Sequence, residues 1–202
     1  QCVVFIDNFT TPNWTKRTVV EWTAVSSPFR PYDVDFDNRG RIYIANNTTQ
    51  GVIRVDDING VNIIASSAGI FGGHGNIVTI AVDRVNQLAY FATTIALYRS
   101  NLDGSSTISR SLSSTPISPS SHFIRGIDVD AEGMLYIVAE PMSAGTSYIV
   151  KYNPATESQI GSSYSTSLAN PWDVIVRGSN IYVANYGQYS AGSNHLLFFR
   201  NH

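Results

Sequence analysis

The stretch Pro31-Tyr32-Asp33-Val34-Asp35-Phe36-Asp37-Asn38-Arg39-Gly40-Arg41-Ile42-Tyr43-Ile44-Ala45-Asn46 reads as strand, tight turn, strand, and variants of it occur four times along the chain. The four units start near residues 31, 77, 124 and 171. Their marker tyrosines, Tyr43, Tyr90, Tyr136 and Tyr182, are separated by 47, 46 and 46 residues. Asp37-Asn38-Arg39-Gly40, Asp130-Ala131-Glu132-Gly133 and Arg177-Gly178-Ser179-Asn180 bring the side-chain acceptors and the positive φ that short hairpins require. The segments around these turns alternate or run apolar, and none sustains helical spacing.

Each hairpin is followed by a third strand, at Val52 to Asp56, Leu97 to Asn101, Ile149 to Asn153 and Leu197 to Asn201. A more polar fourth strand follows in the first three units, at Val61 to Ser66, Ser106 to Leu112 and Ser158 to Tyr164. A period of 40 to 50 residues with four antiparallel strands per unit is what a propeller blade leaves in sequence. The expected fold is all-β: one β-propeller domain over residues 1–202, with four-stranded antiparallel blades, about four in this chain, standing alone or as part of a larger ring. Residues 1–25 are out of phase with the repeats. Thr18 to Ala24 reads as a fourth strand that would complete the last blade and close the ring, while Val3 to Asp7 reads as the third strand of a preceding blade. Both arrangements stay open at this point.

Composition bounds the setting. Charged residues make up 14% of the 202, against roughly a quarter in ordinary soluble domains, and Ser, Thr and Asn take their place. That balance points to a secreted or cell-surface protein. Cys2 is the only cysteine, so no intrachain disulfide forms and blade packing must carry stability. Gln1 at the start suggests a removed signal or an excised piece. No 18-residue apolar run occurs, so no membrane span is expected. Asn8, Asn13, Asn46 and Asn47 begin glycosylation acceptor patterns. The net charge is −2, with 13 basic residues scattered over the repeats, which excludes a phosphate-backbone footprint and with it a nucleic-acid partner.

The loops before each first strand and after each second strand gather on one face of such a ring. They contain Tyr32, Asn46, His74, Phe123, Trp172, Asn185 and Tyr186, the expected ligand-binding set. Aromatic faces stack on flat apolar patches of a glycan or peptide, and amides fix orientation. The competing role for Phe29, Phe71, Phe123 and Trp172 is as wedges between blades. His74, His122 and His195 with Glu140 or Asp173 suggest a metal only weakly, because no local ligand spacing such as His-x-His is present. Asp33 and Asp173, at matching positions, either ligate calcium or accept backbone amides of the next blade. Asp37, Asp83 and Asp130 read as turn acceptors. The sequence contains no Gly-x-Ser-x-Gly nucleophile elbow.

Two stretches carry a resemblance. Gly178 to Asn185 followed by Asn194-His195-Leu196-Leu197-Phe198-Phe199 resembles the NHL repeat, including its Asn-His-Leu triplet. Ala89-Tyr90-Phe91 with Ile95 to Gly104 is similar to a YWTD repeat. The resemblance covers roughly Val19 to Arg200 and implies a propeller. The expected function is a non-catalytic recognition or assembly module that binds protein, peptide or glycan through its loop face and needs no cofactor, calcium being the one candidate, and the out-of-phase ends offer self-assembly by strand addition between copies. Lactonase-type propellers imply the alternative of a calcium-dependent hydrolase with its metal at the channel mouth.

Overall fold

The computed structural model describes residues 2–7, 15–21, 29–48, 51–56, 63–64, 71, 74–166, 168–186 and 195–200. Seventeen strands form five antiparallel sheets among these residues. No helix there is long and apolar enough to cross a membrane. β1 (Cys2–Asp7) pairs with β2 (Thr15–Glu21). Blade 1 follows with β3 (Pro31–Phe36), β4 (Ile42–Asn46), β5 (Val52–Val55) and β6 (Ile63–Ile64). Blade 2 is β7 (Thr79–Asp83), β8 (Leu88–Ala92), β9 (Leu97–Asn101) and β10 (Ile108–Arg110). Blade 3 is β11 (His122–Val129), β12 (Leu135–Pro141), β13 (Tyr148–Asn153) and β14 (Ser158–Tyr164). Blade 4 contains β15 (Pro171–Arg177), β16 (Asn180–Asn185) and β17 (His195–Arg200).

Strands within each blade are spatial neighbours in chain order. The first strands contact one another in succession, β3 on β7, β7 on β11 and β11 on β15. Each blade's first strand is therefore innermost, and the architecture is a β-propeller. Among the described residues β2 takes β1 as its partner and no fourth strand pairs with β17; the expected closing segment Thr18 to Ala24 runs into residues 22–24, which lie outside the described residues.

Cross-strand pairing explains why the tyrosines recur. Tyr43, Tyr90, Tyr136 and Tyr182 all sit on the second strand, paired with Asp35, Ala81, Asp128 and Ile175 of the first and with Arg54, Arg99, Lys151 and Phe198 of the third. This row faces the following blade. Tyr43 and Ala45 pack with Ile80, Val82 and Phe91 of blade 2. Tyr90 and Ala92 pack with Ile127, Leu135 and Ile137 of blade 3. Tyr136 and Val138 pack with Val174, Val176 and Ile181 of blade 4. Phe29 and Phe71 are fully buried wedges.

An inner strand has a partner on one side only, so its alternate amides point away from its own sheet and need another acceptor. Asp33 Oδ2 accepts from the Ile80 amide at 2.9 Å, Asp35 Oδ2 from Val82 at 2.7 Å, Thr79 Oγ1 from Ile127 at 3.1 Å and Asp128 Oδ2 from Val176 at 2.7 Å. Each bond links a blade to its successor. Ala81 and Gly126 bring no acceptor, and there Asp128 Oδ1 and Asp173 Oδ1 take the amides of their own neighbours Val129 and Val174, both at 2.8 Å. Gly126 is required by this arrangement: a Cβ there would lie 2.7 Å from both Cα and Oδ1 of Asp173. Asp37, Asp83 and Asp130 cap the hairpin turns as expected, through the amides of Arg39 and Arg41, Val85 and Asn86, and Glu132 and Met134.

Thr79→Val keeps the shape of a buried side chain and removes both the acceptor of the Ile127 amide and the hydroxyl donor to Asp33 Oδ2, a carboxylate that keeps the Val34 and Ile80 amides as its other partners. The expected loss is about 1–3 kcal/mol, read as a lower denaturant midpoint at unchanged m-value in chemical unfolding.

Candidate ligand-binding mouth

The second position of each repeat is Tyr32, Val78, Arg125 or Trp172, and all four side chains line one cleft at the axis, together with Asp33 and Asp173. Three of them owe this direction to a backbone irregularity. The register of the first strand shifts between Pro31 and Asp33, between Ile124 and Gly126, and between Pro171 and Asp173. A bulge turns a side chain out of the alternation of its strand, and here it aims Tyr32, Arg125 and Trp172 at the mouth. Trp172 is 55% exposed and Tyr32 58%, so neither is an inter-blade wedge.

The axial cleft is narrow, about 70 Å³. A wider one of about 510 Å³ adjoins it, lined by Arg125, Glu140, Asn170, Trp172 and Tyr186, within the span of roughly 300–1,000 Å³ typical of ligand sites. Arg125 stands in both. Its Nε donates to Glu140 Oε1 at 2.7 Å, and its guanidinium lies 4.8 Å from the Trp172 ring and 5.2 Å from that of Phe123. The ion pair and the flanking rings hold a planar cation in one orientation, with its charge largely neutralised.

Asp173 is the perturbed acid of the mouth. Burial, then the negative charge of Asp33, push its carboxyl up to about 6 from an ordinary 3.8. Asp33 is also raised, by burial, against the opposing effect of the Ile80 amide and the Thr79 hydroxyl. Both oxygens of Asp33 are engaged by Val34, Thr79 and Ile80, which makes it the inter-blade acceptor and not a free ligand. Among the described residues no group of three or more His, Cys, Asp or Glu side chains is placed to hold a metal.

The structure thus brings Tyr32, Phe123, Trp172 and Tyr186 to one region and sends the other expected residues elsewhere. Asn46 is fully buried; its Oδ1 accepts the Arg30 amide at 2.7 Å and its Nδ2 donates to Thr48 Oγ1 at 2.6 Å. The same burial leaves no room for a glycan on Asn46. Asn185 does the matching work in blade 4, where its Oδ1 accepts the Ala169 amide at 2.9 Å. Both amides pin the loop that leads into the first strand of their own blade, and neither faces a ligand. His74 packs against Tyr98 with ring centroids 4.1 Å apart and the planes tilted by 30°, and burial holds its imidazole below the ordinary value; it lines neither cleft. Asn47 is partly exposed, while Asn8 and Asn13 lie outside the described residues, as does the side chain of His195. His122 bonds Ser121 and Thr146 in its own blade. The sequence reading missed Arg125 as a site residue, although it occupies the repeat position of Tyr32 and Trp172.

No protein-family model matches the chain, and a search of curated proteins found no match. Solved structures are similar in fold. A chain of the nidogen/laminin complex aligns with a TM-score of 0.51 at 15% identity, over 85% of this chain and 76% of that one. Luciferin-regenerating enzyme aligns at 0.65 and 12% identity, over 91% and 65%. Regucalcin from Agrobacterium tumefaciens, a calcium-binding protein, aligns at 0.57 and 17%, over 82% and 59%. The chain therefore spans under two thirds of the length of the latter two. These likenesses support a β-propeller.

The perturbed acid is directly testable. The Asp173 carboxyl, followed by carbon NMR, is expected to titrate near pH 6 and to move down in Asp33→Asn while staying above 3.8, because burial is the larger cause. The sign for stability follows from linkage: the folded state binds this proton more tightly than the unfolded chain, so the contribution is full below about pH 4 and is lost as pH rises through 6.

Proposed function

We propose that this propeller is an extracellular, non-catalytic recognition module that binds a protein or peptide segment through the mouth formed by Tyr32, Phe123, Arg125, Trp172 and Tyr186. The observation that carries the reading is the exposed Trp172 ring, turned outward by its bulge and braced on its inner side by an Arg125 that Glu140 holds in place. A rigid aromatic face beside a neutralised ion pair offers apolar contact with little entropy cost and in-plane donors for main-chain carbonyls. Low charge content suits the extracellular assignment, and the nidogen/laminin complex is a precedent for a similar fold in a protein assembly. A glycan is the second ligand class that the same aromatic face accommodates.

The likeness to luciferin-regenerating enzyme and to calcium-binding regucalcin favours one other reading, a calcium-dependent hydrolase with Asp173 at the metal. A peptide and glycan array identifies the ligand, and Trp172→Ala then tests the site. Binding is expected to weaken by at least about tenfold, as for loss of an aromatic anchor, while the melting temperature stays within about 2 °C. Thermal stabilisation by millimolar calcium that disappears in Asp173→Asn would transfer the assignment to the hydrolase.

A further inference from the structure

Three blades bury the face they turn to their successor, and blade 4 presents the same face uncovered. In the first row across that face, Asp33, Ala45 and Val52 of blade 1 match Thr79, Ala92 and Leu97 of blade 2, then Gly126, Val138 and Ile149 of blade 3. The third-strand member is buried every time. In blade 4 the row is Asp173, Ala184 and Leu196, and Leu196 is 72% exposed. The second row ends in Arg54, Arg99 and Lys151 in the first three blades, whereas blade 4 has Ile175, Tyr182 and Phe198, with Ile175 43% and Phe198 50% exposed.

The polar part of the face repeats as well. Asp33, Asp35 and Asp128 each accept their own neighbour's amide with Oδ1 and the next blade's amide with Oδ2. Asp173 Oδ1 accepts from Val174, and its Oδ2 has no hydrogen bond among the described residues. An aliphatic and aromatic patch beside a carboxylate oxygen in this register is the contact surface of one more inner strand.

We infer that the outer face of blade 4, made by Asp173, Ile175, Tyr182, Leu196 and Phe198, docks the inner strand of one more blade of this repeat. The inner strand of that blade donates an amide to Asp173 Oδ2, as Ile80 does to Asp33, and lays its aliphatic side chains over Tyr182, as Ile80 and Val82 do over Tyr43. The interface continues the three already present in the chain. The register favours a blade over a second copy, because the row Asp173, Ala184 and Leu196 repeats the row that each earlier blade presents to its successor.

The test extends the chain with its own repeat. Residues 1–200 are followed by a copy of residues 56–123, which supplies an outer strand and the blade that follows an Asp at the third repeat position. Leu196→Cys, in a Cys2→Ser background, reports cover of the face through its rate of thiol labelling, and Ser179→Cys in the exposed turn serves as control. Labelling at 196 is expected to slow by about 100-fold or more in the extended chain, with the control unchanged, and Ile175→Arg in the extended chain is expected to restore it. Equal labelling of the extended and 202-residue chains overturns the inference. So does a 202-residue chain that sediments as a dimer with position 196 already protected, since the face then belongs to a second copy.

Discussion

The structure depends on what happens to the free edge of each inner strand. Eight amides, those of Val34, Phe36, Ile80, Val82, Ile127, Val129, Val174 and Val176, point away from their own sheets, and every one finds a side-chain acceptor. A buried amide left unpaired costs about 1–3 kcal/mol, so capping is a condition of bringing the blades together. Four of the eight caps come from the preceding blade, which makes the polar chemistry of the axis an inter-blade bond as well. The apolar rows carried by the four tyrosines then seal the blades outward from the axis.

Function grows from a local departure in the same strands. An inner strand that kept strict alternation would put its second residue against a neighbouring blade. The bulges in β3, β11 and β15 release Tyr32, Arg125 and Trp172 from that fate and collect them at the mouth. Arg125 links the two clefts because it touches Glu140 on one side and Trp172 on the other. Electrostatically the mouth is mild. The cation is paired, Asp33 is spent on amides, and Asp173 is half-protonated near pH 6.

Residues whose role is legible in the sequence differ physically from those whose role is hidden. Asp33 fits either a calcium ligand or an amide acceptor by sequence, and the bond from the Ile80 amide shows the second role. Asn46 and Asn185 looked like orienting amides for a ligand because they end second strands at the loop face. That position is also where the loop into the first strand must be pinned, and a buried backbone donor takes precedence over a solvent-facing role. Arg125 escaped notice because its partners, Glu140 and Trp172, lie on another strand and another blade.

The amino-acid sequence alone determined the repeat, its period, the turns and the aromatic positions that alternate between blade interface and surface, since these follow from local preferences and a two-residue side-chain period. Tertiary structure alone decided that β2 pairs with β1, that the second repeat position of three blades is turned outward by a bulge, and which asparagines are spent on loops. Those outcomes rest on register and on hydrogen bonds between residues about 15 to 50 positions apart. Spacing along one strand cannot encode them, because the partner that settles each one is supplied only when the sheets come together around the axis.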